Sequence, residues 1–152
     1  MVDFSEGFRV MGQNKHFMLL GLVFSMIFGS YVAFGNLIGT LFIPFGYTTK
    51  LISVCGLNLL VAGVLGSIVF SKFVDITGKY KATVLLLATL FTASMGVTRL
   101  YLGETDTAFM VYMVCIIGFF GVPFIPLCLA FAIELTFPMQ PALINGSMML
   151  IG

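Results

Sequence analysis

Residues 108–135 read AFMVYMVCIIGFFGVPFIPLCLAFAIEL, and the fold class follows from this run of apolar residues. It contains one charged side chain, Glu134, and it is longer than the roughly 20 apolar residues that a helix needs to cross a bilayer. Because lipid offers the backbone no hydrogen-bond partners, such a segment crosses a membrane as an α-helix. The stretch therefore predicts a transmembrane helix from Ala108 to Leu135.

The composition of the whole chain agrees with a membrane protein. Of the 152 residues, 60% are apolar and 9% are charged, against roughly 25% charged residues in a soluble domain. A soluble domain of this size still exposes a large surface, and six acidic and seven basic side chains cannot cover it. The lipid bilayer is therefore the expected partner. A net charge of +1 with scattered bases excludes a nucleic-acid-binding surface.

Three further segments reach spanning length: Phe17–Phe45, Leu51–Phe70 and Ala82–Tyr101. A fifth begins near Pro141 and is only about 18 Å long as a helix. The predicted fold class is all-α, a polytopic transmembrane helix bundle over residues 17–152 with four full helices plus the start of a fifth. Because the sequence stops inside a helix, we expect a fragment of a longer protein, an incomplete gene model or an incompletely identified chain.

Short polar links join these helices, at residues 45–50, 75–79 and 103–107, so consecutive helices are expected to be antiparallel neighbours. Basic residues predict the orientation. The N-terminal arm, residues 1–16, and the second link share one side and carry five bases: Arg9, Lys15, Lys72, Lys79 and Lys81. Only Lys50 and Arg99 belong to the other side. The arm is therefore predicted on the cytoplasmic or matrix side of a plasma membrane or an organellar membrane, such as the mitochondrial inner membrane.

Glycines and prolines lie within the apolar runs of the predicted helices. In lipid, helices associate by close packing, so glycines indicate contact faces, or alternatively hinges that move. Pro123 and Pro126 are expected to kink the fourth long helix, because proline removes a backbone hydrogen bond. The glycines in question are Gly21, Gly29, Gly35 and Gly39 in the first helix and Gly56, Gly63 and Gly66 in the second.

Residues 66–81, GSIVFSKFVDITGKYK, combine a helix end, an acid and a basic turn. They resemble the loop signature of major facilitator transporters. Gly66 would permit close helix contact, Asp75 would face the positive N-terminal end of a neighbouring helix, and Lys79 and Lys81 would stay on the positive side. In that interpretation the cluster holds one conformation of a transporter and releases it in the other. A solvated basic turn is the alternative interpretation.

A longer resemblance rests on residues 131–138, FAIELTFP, together with 60–68, LVAGVLGSI, 125–127, IPL, and 145–147, NGS. These stretches resemble the family of the feline leukemia virus subgroup C receptor. The resemblance implies a twelve-helix facilitator associated with choline, ethanolamine and haem-related transport. It would make the present segments helices seven to ten and the start of helix eleven, in the C-terminal half.

Glu134 is an acid near a membrane segment, which by default is a functional hypothesis. It lies at the same helix-end side as Asp75 and Lys79, so a gating partner at the cytoplasmic face is preferred over a substrate ligand. Its expected cationic partners are Lys72, Lys79 and Lys81.

The resemblance also implies a cavity lined by helices seven and ten. The candidate lining residues are Ser30, Tyr31, Asn36, Tyr112, Phe119 and Phe120. A tyrosine face attracts a small organic cation with up to about 2 kcal/mol when water is excluded, although simple packing is the alternative role of each ring.

The sequence departs from the family at three polar positions. The cavity tyrosine of helix seven falls at Val32, the embedded acid of helix ten at Ala130, and the glutamine of helix eleven at Met149. Either the substrate differs from choline and ethanolamine, or transport has been lost.

Two functions follow as hypotheses. The first is transport of a small organic solute by a major facilitator-type carrier, in which a missing N-terminal half completes the central site. The alternative is a non-transporting accessory or structural subunit of a larger membrane complex, for instance a mitochondrial one.

No enzyme is expected, because the single histidine, His16, lacks a catalytic set around it, and no metal or cofactor site is expected. Cys55, Cys115 and Cys128 lie in apolar runs and are expected to act as small hydrophobes.

Overall fold

The computed structural model describes residues 14–101, 107–137 and 139–151. Within these ranges the chain forms five α-helices and no strand: α1 Lys15–Phe42, α2 Thr49–Thr77, α3 Tyr80–Tyr101, α4 Thr107–Leu135 and α5 Pro141–Ile151. Helices α1 to α4 are long and apolar enough to cross a membrane, whereas α5 has 11 residues. The predicted all-α bundle of four spanning helices and a shorter fifth is confirmed, and the protein is an integral membrane protein.

The helix bounds differ from the sequence-based bounds where local caps decide them. The α1 helix begins at Lys15 because the Asn14 side chain accepts hydrogen bonds from the backbone N–H groups of His16 and Phe17. The apolar run predicts that α2 ends near Phe70, but the helix continues to Thr77. The polar residues after Phe70 are compatible with a helix, and Gly78 is the residue that ends α2. Most of the predicted arm, residues 1–16, lies outside the described residues.

Helix α1 ends at Phe42, but the span that it begins continues to Phe45, the end that the sequence predicts. Residues Ile43–Phe45 form a 3-10 turn instead of continuing the α-helix, and Gly46 ends the turn with φ 80°. Pro44 lies inside this turn, where its missing N–H does least harm.

Helix α4 lies at the centre of the bundle and contacts each of the other four helices. Its main partners are α2 and α3, while α2 and α3 scarcely contact each other although only two residues separate them. The prediction that consecutive helices are neighbours is therefore wrong for this pair, because α4 occupies the space between them.

The crossing of α2 and α4 is a backbone-to-backbone contact made by glycines. A Cβ atom at Gly66 would overlap with the carbonyl of Phe119, and one at Gly118 would overlap with the carbonyl of Leu59. At Gly63 a Cβ would overlap with the Val122 side chain. These three positions are the contact face that small residues provide between membrane helices.

The remaining predicted contact glycines divide into two groups. Gly21 packs near Ile151 of α5, where a Cβ would lie 3.4 Å from its Cδ1 atom. No atom lies within 4 Å of a Cβ built at Gly29, Gly35, Gly39 or Gly56, so the described residues make no close contact there.

The outer faces of the helices are apolar and exposed. Leu19, Met26, Leu57 and Leu100 each expose more than half of their surface, a pattern that would be costly in water and is ordinary in lipid. The serine and threonine hydroxyls along the spans donate to carbonyls one turn earlier in their own helices, as Ser30 does to Met26 at 2.6 Å and Thr92 to Ala88 at 2.8 Å. Such internal pairing lets hydroxyl groups lie within an apolar solvent.

Candidate functional site

The link between α2 and α3 is a tight turn of two residues, Gly78 and Lys79. Gly78 adopts the left-handed conformation, φ 64° and ψ 8°, and its N–H donates to the Val74 carbonyl at 2.7 Å. Only glycine enters this region without a steric cost, so it closes α2 with a C-terminal cap. The Lys79 carbonyl then accepts from the Thr83 hydroxyl at 3.1 Å, which begins α3.

The turn brings charged residues of two helices to one cavity. Lys79 of the turn and Lys81 of α3 line a cavity of about 450 Å³ together with Glu134 from the end of α4. The apolar and aromatic parts of its wall are Tyr80, Ala82, Leu85 and Phe131. Three residues of the predicted loop and gate set thus converge at one end of the bundle.

Glu134 nevertheless forms no direct ion pair with its expected partners Lys72, Lys79 and Lys81 in this conformation, as far as the described residues extend. All four side chains are exposed. Helix α4 ends one residue after Glu134, where the buried Thr136 hydroxyl donates to the Ala132 carbonyl at 2.8 Å. The carboxylate is therefore held at the helix end, beside the lysines but not bound to one of them.

Asp75 belongs to a second, smaller cavity of about 180 Å³. It lies there with Ser67 and Ser71 of α2 and with Pro123, Pro126 and Ala130 of α4. Tyr80, the first residue of α3, lines both cavities and separates Asp75 from the Glu134 cluster. Asp75 thus lies near the N-terminal end of α3, and Ala130 is part of the same wall.

Gly66, the first residue of the loop signature, is buried at the α2–α4 crossing, two helical turns or more from the charged residues. Gly66 contacts the carbonyl of Phe119. In a regular helix the N–H of residue 123 would donate to this carbonyl, but residue 123 is proline and has no N–H. Gly66 therefore positions the two helices and does not itself join the charged cluster.

The six candidate cavity residues do not meet at one place. Ser30 lines a groove between α1 and α3, and Asn36 is exposed on α1. Tyr112 exposes 62% of its surface near the start of α4. Phe119 and Phe120 surround Phe70 of α2, with ring centroids at 5.7 Å and 6.1 Å from it.

Tyr31 has a defined packing environment. Its ring lies 6.4 Å from that of Phe91 in α3, and a Cβ built at Gly121 would lie 2.8 Å from its Cδ2 atom. The neighbouring Val32 exposes 40% of its surface. The sequence does not predict the packing partners Phe91, Gly121 and Phe70. The 3.6-residue period predicts which face of a helix is buried, but not which side chains of another helix pack against that face.

No family model matches the chain. Curated relatives match nearly all of it: the choline/ethanolamine transporter FLVCR1 of Mus musculus is 27% identical over 146 residues, covering 92% of this chain. The choline/ethanolamine transporter flvcr2a of Danio rerio is 33% identical over 137 residues, covering 88%, and the solute carrier family 49 member A3 of Danio rerio is 26% identical over 147 residues, covering 94%. The chain spans 26%, 28% and 30% of the lengths of these three proteins, respectively.

Proposed function

We propose, from the homology of this chain to the transporter family of the feline leukemia virus subgroup C receptor, that it forms part of a carrier that moves a small organic solute across a membrane. The match along nearly the whole chain to proteins named as choline/ethanolamine transporters carries the proposal. The chain would supply helices seven to ten and the start of helix eleven of a twelve-helix facilitator. A further set of helices would then form the opposite wall of the substrate site.

The charged end of the bundle is proposed as the gate. Lys79, Lys81 and Glu134 share one cavity, and Asp75 lies beyond Tyr80 in the next. Because the exposed carboxylate of Glu134 has no ion-pair partner among the described residues, it is available to bind a cation in another conformation of the carrier. A change of partner between two conformations is how charge clusters bias alternating access.

A small organic cation of the choline class is the proposed substrate. Tyr31 and the Phe119–Phe120 pair supply aromatic faces near the middle of α1 and α4, and a cation gains most from such faces where water is excluded. The side chains at the three departing positions, Val32, Ala130 and Met149, are apolar. Recognition of the solute would therefore rest on the aromatic rings named above and on residues in the rest of the carrier.

The second candidate function is an accessory subunit of a larger membrane complex. The apolar residue Ala130 favours the accessory subunit. It lines the cavity of Asp75 at the position where the resemblance implies an acid, and it adds no carboxylate there. Such a subunit would remain in constant stoichiometry with partner proteins after mild detergent extraction.

Uptake measurements distinguish the two functions. The complete coding sequence is expressed in cells and in proteoliposomes, and uptake of labelled choline and ethanolamine is recorded against vector and against excess unlabelled solute. Saturable uptake supports the carrier. Absence of saturable uptake, together with partners at fixed ratio and an intact native mass near 16.5 kDa, contradicts the carrier and supports the subunit.

A further inference from the structure

A groove lies between α1 and α3, which scarcely contact each other, and its charged end opens between α3 and the end of α4. It consists of three adjoining cavities of about 450, 380 and 740 Å³. The first and second share Lys81, Leu85 and Phe131, and the second and third share Val23 and Ala88. The charged cavity of the turn is thus the mouth of a longer depression in the side of the bundle.

The two helices line this groove in the same register. His16, Val23 and Ser30 of α1 follow one another at intervals of seven residues, and so do Lys81, Ala88 and Met95 of α3. Fourteen residues of helix rise about 21 Å. This length is about half of the roughly 40–45 Å thickness of a bilayer with its headgroups, so the groove is as long as one leaflet is deep.

The wall of the groove is apolar beyond its mouth. Its polar side chains do not present free donors: the Ser30 hydroxyl donates to Met26, Thr89 to Leu85 and Leu86, and Thr92 to Ala88, all within their own helices. The rest of the wall is made by apolar side chains of α1 and α3, with Phe131 and Leu135 of α4 beside them. A hydrocarbon chain fits such a wall without leaving an unpaired polar group.

The mouth carries an excess of positive charge. Lys79 of the turn and Lys81 of α3 line it. Among the residues that the structure describes, Glu134 is the one acidic side chain in the lining of the three cavities, and the lysine pair outnumbers it. Basic pockets between transmembrane helices at the positive side of a membrane suit anionic headgroups.

We propose that the α1–α3 groove binds one anionic phospholipid from the leaflet on the side of Lys79 and Lys81. The lipid phosphate lies at these two lysines, and one acyl chain follows the groove past Val23 and Ala88 toward Met95. Charge complementarity at the mouth and the leaflet-deep apolar wall together select this occupant. The proposal goes beyond transport, because it is independent of which solute the protein carries and holds equally for an accessory subunit.

Native mass spectrometry tests the proposal on the purified, lipid-depleted protein that contains this segment. Phosphatidylglycerol and phosphatidylcholine with two oleoyl chains each are titrated in parallel. We expect one phosphatidylglycerol to be retained in preference to phosphatidylcholine. The double substitution K79Q/K81Q should weaken its retention about 30-fold, because each juxtamembrane lysine contributes about fivefold to anionic lipid binding.

Two single substitutions complete the charge test. Lys72→Gln is the matched control, since Lys72 is exposed near the same end of the bundle but lines none of the three cavities, and it should leave retention within twofold. Glu134→Gln removes the opposing charge and should strengthen retention. Equal retention of the two lipids, equal loss in K72Q and in K79Q/K81Q, or weaker retention in E134Q would each overturn the proposal.

The acyl chain is tested separately. Ala88→Trp fills the groove where its second and third cavities meet and should abolish the bound lipid, whereas Ala108→Trp at the exposed start of α4 should not. Thermal unfolding without added lipid checks that both variants are folded. Retention of phosphatidylglycerol by folded A88W would overturn the proposed path of the chain, and if A88W does not fold, the lysine variants decide alone.

Discussion

Gly66 of α2 lies directly against the carbonyl oxygen of Phe119 in α4, so close that a Cβ atom at residue 66 would overlap with it. The same carbonyl lacks its usual donor one turn later, because that donor position is Pro123. The Cα–H groups of glycine make weak hydrogen bonds to carbonyls at helix crossings of this kind. The Phe119 carbonyl, which Pro123 leaves without its helix donor, therefore meets Gly66 at the crossing of α2 with the central helix α4.

Gly66→Ala should lower the free energy of unfolding by about 1–3 kcal/mol, since the added methyl group has to displace backbone of α4. Gly56→Ala in the same helix is the matched control, because nothing lies within 4 Å of a Cβ placed at that position, and it should be neutral or slightly stabilising. Thermal unfolding of both variants in one detergent measures the difference. Equal stability of G66A and G56A would show that the crossing is looser than described.

Gly78→Ala should also destabilise the protein, by about 1 kcal/mol, because alanine is strained at φ 64°. Gly78→Asn should lose less, since asparagine enters the left-handed region more readily than alanine. Unfolding curves of the two variants side by side give the comparison. If alanine were tolerated better than asparagine, the turn would not depend on the left-handed conformation.

The ring of Tyr31 fills the space above Gly121, so Gly121→Ala should cost about 1–3 kcal/mol by overpacking. Tyr31→Leu alone should destabilise the protein, but the double variant should be more stable than the sum of the single effects predicts, since a smaller side chain frees room for the added methyl group. A double-mutant cycle from thermal or denaturant unfolding measures this coupling. Additive effects of the two substitutions would contradict the contact.

In the proposed carrier, Glu134→Gln should reduce the maximal uptake rate several-fold with little change in the concentration of choline at half-maximal uptake. The reason is that Glu134 lies at the gate and not among the aromatic candidates for the solute. Lys50→Gln, whose exposed side chain lies at the other end of α2 and lines neither charged cavity, is the control. A change confined to the half-maximal concentration would instead place Glu134 at the solute.

The predicted orientation is tested by thiol labelling. Lys79→Cys should react with a membrane-impermeant maleimide only from the cytoplasmic or matrix side, and Lys50→Cys only from the opposite side. Both positions are exposed, one at each end of α2. The wild-type chain, with Cys55 and Cys128 buried, gives the background. Labelling of both variants from the same side would contradict the four-span arrangement.

The helices, their approximate ends and the solvent around them are encoded locally in the sequence. Long apolar runs such as residues 108–135 specify spanning helices because lipid forces every backbone group to pair within its own segment. Gly78 and Asn14 also act locally, through a left-handed turn and a side-chain cap. Because the helix ends are local, the sequence also predicts Lys79, Lys81 and Glu134 at the same end of the bundle, where they line one cavity.

Which helices and side chains meet depends on the packing of the whole bundle. The interior and the lipid are equally apolar, so hydropathy does not distinguish the face of α2 that contacts α4 from the faces that contact lipid. Gly63 and Gly66 form that contact while Gly56 does not, because shape complementarity with α4 selects among glycines that look alike in sequence. The central place of α4 and the open groove between α1 and α3 follow from that packing, which no single segment encodes.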